Sequence, residues 1–277
     1  MFKDLMVQLD GTNEDEIRLA HAESIATRFQ AHLTGLCSNP IPEYGLAFAG
    51  EPSYVAADTI LQLEERVRTE AELVLARLKD RFARIGVPNE VRNIVEFASD
   101  VPNLAASEAR WADLFVASAP YRNSNSFVGD RIFEAVLIGA GHCIYVVPPK
   151  GKVRRDLRNV IVAWQDTRES ARGVAEALPF LSASTHTRIV TVDAEGGGEA
   201  AIDIAGHLDR HGVNVEITAV ESGEKTVAEV LLDEARKMSA DLIVMGAYGH
   251  SRFREWILGG ATREMLETSD VPVLIAH

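Results

Sequence analysis

Long apolar runs are missing from this sequence: no stretch approaches the roughly 18 consecutive apolar residues that a membrane-spanning helix needs. The opening MFKDLMVQLDGT is broken by Asp4, Gln8 and Asp10, which leaves no signal-peptide core and points to the cytoplasm. Cysteine is scarce. Cys37 and Cys143 lie far apart, each in an apolar run, and read as two buried thiols in a reducing compartment, not as a disulfide. No CxxC or Cys/His cluster suggests a metal. Basic residues are outnumbered, 28 Lys and Arg against 41 Asp and Glu, for a formal net charge of −13. An acidic surface opposes non-specific binding to nucleic acid or an anionic membrane, but it leaves room for a local cationic pocket. Catalytic signatures are lacking too. HExxH, the GxxxxGK[ST] phosphate loop, GxGxxG and the SGGxDS loop of ATP pyrophosphatases do not occur, and no Ser/His/Asp or Cys/His arrangement can be assigned.

What remains is the composition of an ordinary globular protein, 47% apolar and 25% charged over 277 residues. That length suits two domains. An internal repeat supports the division. Ser107-Glu-Ala-Arg-Trp-Ala-Asp-Leu-Phe-Val116 is echoed by Asp233-Glu-Ala-Arg-Lys-Met-Ser-Ala-Asp-Leu-Ile-Val244. Each half opens on an apolar strand, Leu5–Asp10 or Val160–Gln165, and closes on another, Cys143–Val147 or Val271–Ala276. The polar segment Pro148–Asp156, with two prolines and a glycine, separates domains 1–150 and 151–277.

Between the repeats, helical and strand periodicities alternate. The first half predicts helices over 13–31 and 57–85, the latter stopped by Gly86, strands at His32–Leu36 and Val91–Phe97, and an Asp100-capped helix running to Trp111. The second predicts helices over 168–182 and 199–211, the latter ending at Gly212, and strands at Arg188–Val192 and Asn214–Val220. A further helix starts at Ser222 or Thr226 and ends near Ser239. Short apolar strands alternating with helices imply parallel βαβ units with helices on both sheet faces. Segment 38–56, with three prolines and several aromatic and apolar residues, stands outside the repeat. It is either a packed loop or a lid or partner surface.

The stretch richest in chemistry is Val244–Leu266. Gly246, Gly249 and Gly259 follow a buried strand at Gly-x2-Gly-x9-Gly spacing, Gly260 comes next, and a helix pattern starts at Ala261. Glycines let the backbone approach a ligand closely. The first N–H groups of a helix lack internal partners, and its dipole favours negative charge there. Thr262 offers a hydroxyl, and His250, Arg252 and Arg254 offer local positive charge. These features suit a phosphate beyond the carboxyl ends of the strands. The bland reading, a tight loop with no ligand, stays open, as do salt bridges for the arginines. Trp164 and Trp256 read as core or interface residues, Asp10 as a turn or cap residue, and Lys237-Met-Ser239 as a helix terminus.

At these residues the chain resembles the universal stress protein family. GAYGHSRFREWILGGATREML is similar to that family's nucleotide loop, VIVAWQDTRESARGVAEALP to its opening strand and helix, and VPVLIAH to its closing strand. The first half is similar more loosely, through LMVQLDGTNE, ARWADLFVASAP and EAVLIGAGHCIYVVPP. The resemblance implies an α/β fold of two tandem five-stranded parallel sheets, Rossmann-like and adenine nucleotide alpha hydrolase-like. It also implies pairing across the last strands into an intramolecular pseudo-dimer, and ATP binding, with Mg²⁺, as in some members. Carried over, the nucleotide-binding positions are Ala163, Gln165, Val192, Gly246, Gly249, His250, Ser251, Arg252, Gly259, Gly260, Ala261 and Thr262.

Two departures stand out. Gly260 replaces the Ser or Thr that follows the last motif glycine in ATP-binding members, and Gln165 replaces the Asp that faces the adenosine. The first half keeps Asp10 but lacks the paired glycines at Ala117–Tyr121. Three readings follow: a small-phosphorylated-ligand binder acting in the stress response; a nucleotide-free regulatory protein with a protein partner; and a slow ATP hydrolase using Asp166 or His250. Further association into a homodimer is compatible with each.

Overall fold

The computed structural model describes residues 1–43, 53–122, 127–149, 153, 156–247 and 260–277. The first half supplies β1 (Asp4–Leu9), β2 (His32–Ser38), β3 (Asn89–Ile94), β4 (Leu114–Ser118) and β5 (Cys143–Val147). The second supplies β6 (Asn159–Ala163), β7 (His186–Val192), β8 (Val215–Val220), β9 (Leu242–Gly246) and β10 (Val273–Ala276). All ten join one sheet in the order β3-β2-β1-β4-β5-β10-β9-β6-β7-β8. Counted inward from either edge, both halves follow the same strand order. Within each half the pairings are parallel; the seam between β5 and β10 is antiparallel.

Helices cover both faces, as parallel strands with apolar side chains on both sides require. On one face lie α1 (Asp15–Phe29), α2 (Ser53–Phe82), α5 (Arg168–Ser182) and α6 (Ile202–Arg210). The other face carries α3 (Val101–Ala109), α4 (Phe127–Gly139), α7 (Val227–Met238) and α8 (Gly260–Thr268). Strand side chains alternate between the two layers. Leu5, Val7 and Leu9 face the first, and Met6 faces the second.

Most elements match their sequence signals. The helix expected over 168–182 spans those residues, with Thr167 as its N-cap accepting from the Ser170 N–H. Of the two starts weighed for α7, Thr226 is used. Its hydroxyl accepts from Glu229 N–H while the Glu229 carboxylate accepts from Thr226 N–H, a reciprocal capping box. Lys237 and Met238 close that helix, and Ser239 caps it in a left-handed conformation.

Three expectations need correction. Asp100 precedes α3 but makes no side-chain cap bond; its backbone is already helical, which aims the carboxylate away from the free N–H groups. The helix over 199–211 is split into a 3-10 turn, Gly197–Ala201, and α6. Gly196 and Gly197 both adopt positive φ and break the regular spiral. Helix α2 ends at Phe82, before Gly86, and α4 had no counterpart in the periodicity reading. Of segment 38–56, Ile41 is buried and bridges Phe97, Pro42 and Glu43 are exposed, and residues 44–52 lie outside the described residues.

The seam is more than a strand ladder. Phe180 of α5 meets Phe2, Phe29 and Tyr145 of the first half at ring-centroid distances of 4.9, 5.5 and 6.1 Å. Arg28 donates to the Ala183 carbonyl at 2.9 Å. Across the opposite face, Arg122 donates to the carbonyls of Leu266 and Ser269, satisfying the end of α8. Replacing Phe180, which is fully buried, by Ala removes the ring that ties both halves together. We expect a loss of about 3–5 kcal/mol in unfolding free energy, read by urea denaturation.

Candidate functional site

In open parallel sheets, ligands sit beyond the carboxyl ends of the strands where chain connections reverse direction. The strand order puts one such point between β1 and β4 and another between β6 and β9. Because β5 and β10 run antiparallel, the two crevices open on opposite edges of the sheet.

The second crevice gathers several of the expected residues. Ala163 and Val192 end β6 and β7, half-buried against the layer of α7 and α8. Gln165 and Asp166 follow β6 and are exposed. Gly246 ends β9. Gly260 and Ala261 begin α8 and are exposed, whereas Thr262 turns to its buried side with Met265 and Leu266. A Cβ on Gly260 would meet none of the described residues within 4 Å. Gly249, His250, Ser251, Arg252 and Gly259, with Arg254 and Trp256, lie outside the described residues. Trp164 has the structural place expected of it, half-buried against the core with its Nε1 donating to the Ala200 carbonyl at 3.1 Å.

Gly246 has a packing reason beside any ligand role. A Cβ there would lie 2.5 Å from the Glu169 carbonyl carbon and the Ser170 nitrogen. Gly173, in the first turns of α5, is tight to a lesser degree, since its Cβ would meet the Met245 carbonyl oxygen at 3.0 Å. Two glycines thus let the first turns of α5 lie directly on the end of β9. The sequence reading missed Gly173, although a glycine inside an otherwise regular helix signals close approach.

The first crevice is built differently. Arg18 is buried, its guanidinium 2.7 Å from Asp10 and 2.6 Å from Asp15. Asp15 accepts the backbone N–H groups of Asp10 and Gly11, and Asp10 accepts the N–H and hydroxyl of Thr12. Ser118, ending β4, donates to Glu14 at 3.2 Å. Burial works against the charge on Arg18, but Asp10 and Asp15 more than offset it and raise its pKa. Burial also opposes ionisation of Asp10; Arg18 and the Thr12 hydrogen bonds outweigh it and hold that carboxyl below its ordinary value. What space remains, about 30 Å³ beside Arg18 and Asp130, holds little more than a water. The signal for this network was present: Arg18 falls beside Leu19 and Ala22 on the buried stripe of α1.

Strand pairing aligns the halves. Leu5 pairs with Leu114 as Val160 pairs with Leu242. Counting on from Leu5 and Val160, Asp10, Asp15 and Arg18 correspond to Gln165, Ser170 and Gly173. The ion-pair network of one half is therefore replaced in the other by direct backbone packing, and Asp10, the expected acid, is consumed within the first. Both cysteines are free and buried, and burial raises both thiol pKa values, Cys37 to about 11. Among the described residues no helix is long and apolar enough to cross a membrane.

Two stability measurements test this construction. Gly246→Ala must push α5 off β9, at an expected cost of about 1–3 kcal/mol in urea denaturation. Arg18→Met leaves Asp15 buried without its cation, and we expect about 3–5 kcal/mol of destabilisation by the same measurement.

With this geometry in view, comparison with known proteins is direct. Residues 157–277 match the Universal stress protein family. Among solved structures, a universal stress protein from Archaeoglobus fulgidus DSM 4304 superposes with a TM-score of 0.72 at 16% identity, covering 99% of this chain and 96% of that one. A putative universal stress protein from Pseudomonas aeruginosa UCBPP-PA14 gives a TM-score of 0.56 at 14% identity, covering 99% and 93%. At such identities the superpositions establish the shared fold alone. No curated protein matches the sequence.

Proposed function

Because residues 157–277 belong to the universal stress protein family, we propose that the second half binds an adenine nucleotide, ATP above all, at the carboxyl edge of β6 and β9. The observation that carries this reading is the contrast between the two crevices. In the first half the crevice is filled by Arg18 and its carboxylates. In the second the corresponding positions are Gln165, Ser170 and Gly173, and no described residue lies within 4 Å of a Cβ at the facing Gly260.

In the proposed complex the N-terminus of α8 receives the phosphates. Its free N–H groups and dipole attract negative charge, which matters in a chain of net charge −13. Gln165, exposed beyond β6, supplies neutral hydrogen bonds to the ribose or base. Ala163 and Val192 line the floor. Mg²⁺ enters with the nucleotide, held mainly by phosphate oxygens. The role is ligand-dependent signalling in the stress response, with binding as the event that matters.

Gly260 gives a two-way test, since a Cβ there meets none of the described residues. Gly260→Ser restores a hydroxyl donor, and we expect ATP to bind about ten- to a hundredfold more tightly in calorimetry, the worth of one hydrogen bond to a charged acceptor. Gly260→Trp blocks the helix end and should abolish binding at unchanged melting temperature. Equal ATP affinity in wild type and both variants would remove the site. Wild type that neither copurifies with nucleotide, by mass spectrometry of the denatured protein, nor binds added ATP would favour the regulatory reading, with segment 38–56 as the surface to delete.

A further inference from the structure

Helix α8, whose amino end carries the proposed nucleotide site, lacks the means to finish its own carboxyl end. It has nine residues, and a helix that short is marginal without outside partners. No basic residue stands in its last turn, and Glu267 puts a negative charge at the negative pole of the helix dipole. The first half makes up the deficit across the seam. Arg122 donates from Nε to the Leu266 carbonyl at 3.0 Å and from Nη2 to the Ser269 carbonyl at 2.9 Å. A guanidinium suits this task, because its planar fork delivers two fixed donors together with a positive charge.

Tyr121 builds the approach. Its backbone is left-handed, with φ at 65°, a conformation that costs a non-glycine residue and persists only where neighbours enforce it. Here α4 enforces it. The Asp130 carboxylate accepts the Tyr121 N–H at 3.0 Å, and the Tyr121 hydroxyl donates to Glu134. The guanidinium of Arg263, on α8, lies over the Tyr121 ring, 5.2 Å from its centroid. Two consecutive residues of one half therefore grip a helix of the other at Arg263, Leu266 and Ser269.

Tyr121 and Arg122 follow β4 at the carboxyl edge of the first half, and the antiparallel seam brings that edge beside the carboxyl end of α8. We infer that the Tyr121–Arg122 turn is a clamp through which the first half sets the position of α8, and with it the nucleotide affinity of the second half. The effect on affinity rests on the proposed nucleotide site; the clamp on α8 does not. Arg122 is a positioning residue, acting through a helix about 13 Å long. By linkage, a nucleotide at the amino end strengthens the clamp as much as the clamp favours the nucleotide.

Hydrogen exchange of the full chain, followed at the amides of residues 260–269, tests the clamp without a ligand. Arg122→Ala should speed exchange in the last turn of α8 at least tenfold. Arg122→Lys keeps the charge but not the fork, and should recover part of the protection. Calorimetry with ATP tests the coupling: binding should weaken about fivefold in Arg122→Ala, with partial recovery in Arg122→Lys. Arg28→Ala is the control for a general loosening of the seam. It removes another arginine-to-carbonyl bond between the halves, to Ala183, and should leave both α8 exchange and ATP affinity at wild-type values. Unchanged α8 exchange in Arg122→Ala would overturn the clamp. Faster α8 exchange at wild-type ATP affinity, or equal losses in Arg28→Ala, would overturn the coupling. Wild type that fails to bind ATP overturns the coupling together with the nucleotide reading, and the exchange result alone then decides the clamp.

Discussion

The antiparallel ladder between β5 and β10 is the constraint on which the rest of the molecule hangs. Only three residue pairs define it: Val146 with Val273, Tyr145 with Leu274 and Ile144 with Ile275. A five-stranded parallel sheet ends in an edge whose backbone N–H and C=O groups are unpaired, and that edge is a liability. Joining two such sheets edge to edge removes both liabilities at once. The same ladder brings α1 and α5 together over Phe180, and it sends the two crevices to opposite edges of the sheet. The two outer edges that remain are guarded by charge. Arg92 pairs with Glu90 along β3, and Glu216 of β8 pairs with Arg188 and His186.

The order of elements was legible in the sequence because parallel strands buried on both faces read as short apolar runs. Cys143–Val147 and the 168–182 helix were placed to the residue. The fold class and the pairing across the last strands follow from the family resemblance and are what the structure shows. Helix α4 was lost for a physical reason: Ile132, Phe133, Val136 and Leu137 run on through Gly139 toward the apolar strand at Cys143, so two elements merge into one apolar stretch. Asp100 stands where a cap belongs, but capping is a matter of backbone dihedrals that residue type alone does not set. Of the candidate site, its placement at a strand end and a helix start was legible. The burial of Thr262 was not, because helical phase against a neighbour is decided by packing.

The two halves show how one backbone supports opposite interiors. Arg18 needs room and partners; Asp10 and Asp15 supply the partners, and α1 stands far enough from β4 to house the guanidinium. Gly173 at the matching place needs neither, so α5 settles onto β9 until the Met245 carbonyl limits the approach. Burying an arginine with two carboxylates carries a desolvation cost that apolar packing avoids. Its return is specific structure: the network fixes the β1–α1 turn through the N–H groups of Asp10, Gly11 and Thr12. Asp10 thus matches the acid expected of a ligand-binding half while serving its own turn. A matching residue type at a matching position carries no role until its partners are known.

The same logic applies in reverse at Gln165. An amide in place of the expected carboxylate gives up a charge-assisted hydrogen bond to a sugar hydroxyl, which is stronger than a neutral one. It also removes a negative charge from the edge that the phosphates of the proposed ligand must approach, in a chain already carrying a net charge of −13. The two effects fall on different ends of a nucleotide. Recognition of the nucleoside weakens, while repulsion of the phosphate chain falls, and it falls most for the ligand with most charge. In the proposed site, selection among nucleotides would therefore rest chiefly on phosphate number, through the dipole of α8, and only weakly on the sugar.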